Sequence, residues 1–277
     1  MKSIDHVTFW RDPALPGIEI CRVNGSRHVF PDHAHDGIYA IGLMESGGSY
    51  CLGPQKSDSL VASGQIALIN PSQVHSGVPV NGKRISYCMV YFDLSLMVSA
   101  FADVYRQSTI TPEFSRMVVK DNRVWQRLQR LCLTVKGPGG QLEKESALMD
   151  ALAGVLLLCS PARSIKRVRR GCGRPIRHAM EFLAENLDQK TSLEAVARSA
   201  GLSRYHFLRV FKRETGLSPH LFRTLRRIDR ARQLLCQGTP LAEAALMVGF
   251  SDQSHFTNTF RKYTGATPGQ YVAETRH

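Results

Sequence analysis

Two groups of side chains in this 277-residue chain have chemistry to offer. The first is imidazole: His33 and His35 stand two residues apart, and His75 follows beyond Gly64 and the Asn70-Pro71 pair. Three neutral imidazoles can hold zinc or nickel with one coordination position left open. Rings of this kind can instead orient a small molecule or brace the mouth of a pocket. The second group is a pair of polar stripes near the C-terminus. Tyr205, Leu208, Arg209 and Lys212 recur at i, i+3, i+4 and i+7, with Arg204 beside them, and Gln253, Ser254, Thr257, Asn258 and Arg261 form the other stripe. Arginine bonds guanine in bidentate fashion, asparagine and glutamine do the same with adenine, and methyl or apolar groups meet the thymine methyl. One such helix face is ordinarily only a solvated surface. Two of them in a basic region point to nucleic acid.

The elements that must carry the stripes repeat. LEAVARSAGLSRYHFLRVFKRETGLSPHLF opens at residue 193 and LAEAALMVGFSDQSHFTNTFRKYTGATPGQY at 241, and the two share glycines (Gly201, Gly249), serines (Ser203, Ser251) and, after one inserted residue, His206-Phe207 with His255-Phe256. The match runs on through Phe211 and Phe260, Gly216 and Gly265, and Pro219 and Pro268. A repeat of this length sets the architecture: helix, glycine turn, helix. Thr191 through Glu194 reads as a capping box, Gly201 as the left-handed residue that closes the helix, and Ser203 as the cap of the next helix, which runs to Thr215. Ser218-Pro219, Thr239-Pro240 and Thr267-Pro268 each read as a cap followed by proline at the first helical position. The pattern predicts a helix over 176–187 and one continuous helix over 219–236. At 1.5 Å per residue the latter is about 27 Å long, so recognition helices at its ends approach the ~34 Å between successive major grooves on one face of DNA.

Charge falls on the same half. Residues 1–160 hold 15 Lys/Arg against 14 Asp/Glu, whereas residues 161–277 hold 21 against 9. A basic domain beside a neutral one suggests a polyanionic partner. The segment SPARSIKRVRRGCGRP at 160–175 has prolines near both ends and no apolar period, and reads as a linker. Seven cysteines at 21, 51, 88, 132, 159, 172 and 236 include no CxxC pair, which fits reduced thiols, with Cys172 the one expected at the surface. MKSIDHVTFW lacks the apolar stretch of a signal peptide, and the run LAGVLLLC is far shorter than the ~20 residues that span a bilayer. The expectation is a cytoplasmic protein without a membrane segment.

In the neutral half, IEICRV, GIYAIGLME, SYCLG, QIALINP and ISYCMVYF alternate with the turn signals Gly47-Gly48, Gly64 and Asn81-Gly82, which predicts an antiparallel β unit. Helical segments follow at 94–107, 123–136 and 142–159. Val124, Leu128, Leu131 and Val135 form one apolar stripe, and Leu148, Leu152, Val155 and Leu156 another.

GLSRYHFLRVFKRETGLSP followed by GFSDQSHFTNTFRKYTGATPGQY resembles the C-terminal domain of AraC/XylS-type transcription regulators over about residues 174–272. The resemblance implies a seven-helix domain with two helix-turn-helix units, at about 193–215 and 241–264. It carries base reading onto Tyr205, Leu208 and Arg209 in the first unit and Gln253, Ser254, His255, Thr257 and Asn258 in the second. Leu208 stands where a polar residue is frequent. HAHD at 33–36 and GQIALINPSQVHSG are similar to the sensing domain of the same family and to cupin barrels, in which two histidines on one strand and a third from a later strand can bind metal. The cupin pattern has a glutamate four or five residues after the second histidine. Tyr39 and Ala40 stand there instead. The reading adopted is therefore no metal and no cofactor, with His33, His35, Tyr39 and His75 around an effector.

The expected fold is α+β with two domains: a cupin-like effector-binding barrel with dimerisation helices over 1–160, a linker over 161–175, and an all-α DNA-binding domain over 176–277. The expected function is a homodimeric, sequence-specific transcription regulator, not an enzyme. It binds double-stranded DNA and a small-molecule effector, and the resemblance implies activation through RNA polymerase. Two alternatives have their own signatures. A metal-dependent cupin enzyme or metal sensor fused to a DNA-binding tail predicts stoichiometric metal; a constitutive architectural DNA binder predicts no ligand response.

Overall fold

The structure is a computed structural model that describes residues 6–52, 58–105, 111–138, 140–159, 173–189 and 191–273. Among the described residues the N-terminal unit contains ten strands, β1 (His6–Trp10), β2 (Ile18–Ser26), β3 (Phe30–His33), β4 (Ile38–Ser46), β5 (Gly48–Leu52), β6 (Asp58–Ala62), β7 (Ile66–Ile69), β8 (His75–Pro79), β9 (Ile85–Asp93) and β10 (Val118–Val119). They form a six-stranded sheet in the order β1-β2-β9-β4-β7-β10 and a four-stranded sheet in the order β3-β8-β5-β6. The pairings in both are antiparallel. Two separate sheets stand where a barrel was expected. The chain leaves one sheet for the other at Gly47, whose φ of +76° and close approach to the Arg84 carbonyl exclude any side chain.

Period-two alternation gives the six-stranded sheet two working faces. Tyr39, Ile41 and Leu43 on β4, Ile66 and Leu68 on β7, and Cys88, Val90 and Phe92 on β9 pack with the helices α1 (Leu94–Tyr105), α2 (Asn122–Lys136) and α3 (Gln141–Leu156) in one core. Both predicted stripes are buried there. Asp121 caps α2 by accepting from the amides of Arg123 and Val124, and α2 is separated from α3 by the Gly137-to-Gly140 stretch. The other face of the sheet turns Gly42, Met44, Ala67, Ile69, Tyr87 and Met89 toward a cavity.

The C-terminal unit is helical: α4 (Arg174–Glu185), α5 (Leu193–Ser199), α6 (Arg204–Thr215), α7 (Pro219–Cys236), α8 (Leu241–Met247), α9 (Gln253–Thr264) and α10 (Pro268–Ala273). Among the described residues these are seven helices, the number that the resemblance implied. Several predicted boundaries shift. The first helix opens at Arg174 rather than 176, because Pro175 fits the first turn, where no helical partner needs its missing N–H. The cap of α5 is Ser192, whose Oγ accepts from the Ala195 amide, so Thr191 lies outside the helix. Pro240 is the N-cap of α8 rather than its first residue. In the repeat, the hydroxyl cap of α6 at Ser203 is matched by the carboxylate cap of α9 at Asp252, the inserted residue having moved Ser251 one place out. Cys172 and the linker up to that residue lie outside the described residues, and Cys236 is the exposed thiol among those described. Among the described residues no helix is long and apolar enough to cross a membrane.

Candidate functional site

The two helix pairs, α5 with α6 and α8 with α9, are built alike down to individual atoms. Each turn closes by two backbone bonds, Gly201 to Arg198 and Leu202 to Ala197 in the first, Gly249 to Leu246 and Phe250 to Ala245 in the second. Each second helix ends at a left-handed glycine, Gly216 at φ 77° and Gly265 at φ 78°. Thr215 Oγ1 donates to the Phe211 carbonyl and accepts from the Leu217 amide; Thr264 Oγ1 donates to Phe260 and accepts from Ala266. Phe207, Phe211, Phe256 and Phe260 are wholly buried, each stabilising the fold by about 1.5–3 kcal/mol.

The outward sides carry the predicted stripes. Arg204, Tyr205, Leu208, Arg209 and Lys212 are exposed on α6, and Gln253, Ser254, His255, Asn258 and Arg261 are exposed on α9, with Thr257 half-buried among them. Tyr205 is 79% exposed, so its ring is not consumed by the fold. The His255 ring meets Phe250 edge-on at 5.2 Å, which ties it to the turn.

The basic charge of this unit is not all surface. Arg223 on α7 donates to the carbonyls of Asn186 and Gln189, and Arg227 Nε donates to the Leu187 carbonyl at 2.8 Å while its guanidinium lies over the Phe250 ring. These two arginines satisfy carbonyls of the loop that follows α4. They join the α4–α5 loop to the turn of the second pair. Sequence pattern gave no sign of this role, because i, i+4 arginines on a basic helix look like any solvated face.

In the N-terminal unit His33 and His75 face each other across the β3–β8 pair, with ring centroids 4.1 Å apart, and His35 lies about 5 Å from both. One ring nitrogen from each of the three falls within 4.8 Å of the others. His33 Nδ1 lies 2.8 Å from the Pro31 carbonyl and His75 Nδ1 lies 2.9 Å from that of Gln73. Burial holds both imidazoles below the ordinary histidine pKa, His75 well below it with the neighbouring His33 adding to the effect. Each ring is thus neutral near neutral pH. In His75 the carbonyl beside Nδ1 takes the N–H, which leaves the lone pair on Nε2, whereas His33 also meets the backbone carbonyl of His75.

These histidines stand at the cavity between the two sheets, which Phe30, Met44, Val61, Ile69, Tyr87 and Met89 line with mostly apolar surface. Tyr39 does not join them. It is fully buried on the opposite face of β4, in the core with the helices, and its hydroxyl donates to the Pro112 carbonyl. Gly42, Met44 and Met89, absent from the sequence-based site, form part of the wall. Their signal was the other parity of the alternation that marked Ile41, Leu43, Cys88 and Val90 as core.

Residues 15–152 match the AraC-like ligand binding domain and residues 196–274 a helix-turn-helix domain. The chain is 31% identical over 248 residues to the HTH-type transcriptional regulator YbfI of Bacillus subtilis, covering 90% of this chain and 88% of that one. It is also 31% identical over 147 residues to the virulence regulon transcriptional activator VirF of Yersinia enterocolitica, covering 52% and 54%. Among solved structures, unsaturated fatty acid-bound ToxT of Vibrio cholerae shares the fold with a TM-score of 0.59 at 11% identity, over 100% of this chain and 98% of that one. Ligand-binding and helix-turn-helix domains in this order, with near full-length similarity to such a regulator, place the chain in the AraC family of DNA-binding transcription regulators.

Proposed function

We propose that α6 and α9 are two recognition helices of one chain and that they read two different segments of one operator. The observation that carries this reading is the combination of matching buried phenylalanines with divergent outward sides in a basic unit. Arg209 suits a guanine edge, Asn258 and Gln253 suit adenine, and Tyr205, Leu208 and Thr257 offer apolar surface to thymine methyls. Ser254 and His255 complete the reading face, while Arg204, Lys212 and Arg261 serve phosphates and set register. Footprinting of the full chain on a selected binding site should give two protected segments about one helical turn apart on the same face of the duplex. A single protected segment would overturn the two-helix reading.

The division of labour is effector capture within 1–160, a linker over 161–175 and DNA binding within 176–277. The effector is a small, largely apolar molecule held between the sheets near His33, His35 and His75. Its binding shifts the population of DNA-competent states, as a ligand with different affinity for two states must. Leu133, Leu142, Met149 and Leu157 are exposed apolar residues on or beside α2 and α3 and support a homodimer through those helices. A monomer by sedimentation at micromolar concentration would contradict that. The chain acts in the cytoplasm without catalysing a reaction, and as an activator it engages RNA polymerase.

A further inference from the structure

We propose that Cys88 and Cys132 form a reversible redox site, a dithiol that a small hydroperoxide converts to a disulfide fastening α2 to β9. The two sulfurs lie 3.3 Å apart although the residues are 44 positions apart in the chain. Closing from 3.3 Å to the roughly 2.05 Å of a disulfide takes a movement of about 1.2 Å, within the reach of small side-chain adjustments. Both thiols are buried and free. They stand where the apolar rows between sheet and helices give way to charge. Along β2 and β9 the register pairs Ile18 with Phe92, Ile20 with Val90 and then Arg22 with Cys88, and residues directly opposite one another share a face of the sheet. Arg22 is ion-paired to Glu45 at 2.8 Å, and both side chains are partly exposed. Lys136 follows Cys132 one turn later on α2. This polar rim is the side from which a molecule the size of hydrogen peroxide reaches the pair.

The two thiols divide the roles that the reaction needs. The hydrogen bond from Cys132 holds the Cys88 pKa below the ordinary cysteine value against the opposing effect of burial, and the Lys136 ammonium adds to the lowering. The same hydrogen bond, with burial, pushes Cys132 up. Cys88 is therefore the thiolate that attacks. Its sulfur takes one oxygen of the peroxide, the O–O bond breaks, and the other oxygen leaves as water with the Cys88 proton. The Cys132 sulfur then attacks the Cys88 sulfenic acid: the S–S bond forms, the S–O bond breaks, and a second water departs with the Cys132 proton. In all, two thiols lose two electrons and one peroxide is reduced to two waters. In a reducing compartment the dithiol is the resting state and the disulfide a transient one, reversed by a dithiol reductant.

The test treats the full chain with hydrogen peroxide, quenches with catalase, and unfolds it in iodoacetamide before digestion with trypsin. Cleavage after Arg84, Arg106, Arg130 and Lys136 puts Cys88 in one peptide, 85–106, and Cys132 in another, 131–136, each with no other cysteine. A species joining these two peptides is expected as the main cross-link, lost on treatment with dithiothreitol. The oxidised protein should unfold at higher urea than the reduced one, because the link restrains the unfolded chain. Cys132→Ala should abolish the cross-link and leave a sulfenic acid at Cys88 that dimedone labels, whereas Cys236→Ala, at the exposed thiol among the described residues, should leave the cross-link intact. The peptide map of the unmutated protein decides the site whatever the variants do. Two fully alkylated peptides at peroxide levels that oxidise free cysteine, or links scattered among all the cysteines, overturn it. A link that dithiothreitol leaves in place overturns the reversibility, and an unchanged urea midpoint overturns the fastening of α2.

Discussion

The two helix-turn-helix units share a scaffold and differ most in two places. One difference is the outward face, basic and aromatic on α6, amide- and hydroxyl-rich on α9. The other is the turn. A side chain at Gly201 would meet nothing within 4 Å, whereas a Cβ at Gly249 would lie 2.5 Å from the Leu187 carbonyl and 2.6 Å from the Arg227 guanidinium. The first turn faces open space, and the second is wedged against the α4–α5 loop. Duplication preserved what each unit needs to fold. What surrounds each turn diverged with its place in the domain.

The largest effects should fall on what the units have in common. Phe211→Ala and Phe260→Ala should each cost about 3–5 kcal/mol, read as loss of stability of the C-terminal unit in urea. A difference of more than about 2 kcal/mol between them would break the equivalence of the two cores. The turns should then separate the units. Gly249→Ala adds a contact with backbone that cannot move aside to the strain of a left-handed alanine, roughly 3 kcal/mol together, while Gly201→Ala bears the strain alone, about 1 kcal/mol. Equal costs would mean the wedge is not rigid.

On DNA the faces should separate. Arg209→Ala and Asn258→Ala should each lose about 1–3 kcal/mol of specific affinity and relax preference at different base pairs, whereas Lys212→Ala should weaken binding to all sequences and lower the salt slope by about one. Relaxation at the same base pair would refute two-segment reading. The smallest contrast is in the caps. Asp252 accepts from the His255 amide at 2.7 Å and Ser203 from the His206 amide at 3.4 Å, and the hydrogen bonds to Asp252 lower its pKa and keep it ionised. Asp252→Ala should lower the unfolding midpoint more than Ser203→Ala does, measured by thermal unfolding.

The C-terminal unit was legible because its signals are local. Glycines with positive φ, caps one residue before a helix and paired phenylalanines are decided within a few positions, and errors there amounted to one or two residues at Thr191, Pro240 and Arg174. The N-terminal unit hid its most informative strands. β3 reads FPDH and β8 reads HSGVP, with prolines, a glycine and histidines where alternation would be sought, and long-range pairings define them: His33 with His75 and Phe30 with Gly77 between the two, and Val78 and Pro79 with Tyr50 and Ser49 of β5. Tyr39 was misassigned for a related reason. Counting four residues on from His35 ignores the turn through Asp36 and Gly37, which resets the parity of the strand.

The two-faced six-stranded sheet has a consequence for how relatives of this chain diversify. On β4 and β9 the residues that line the cavity alternate one for one with those that grip the helices, so a substitution at Gly42, Met44 or Met89 falls on the face away from Ile41, Leu43 and Val90. Selection for a new small molecule can therefore act on one parity of the strand while the other holds the architecture constant. A single-residue insertion that no bulge absorbs exchanges the two faces at a stroke. Ligand preference in such a wall drifts by replacement, never by slippage.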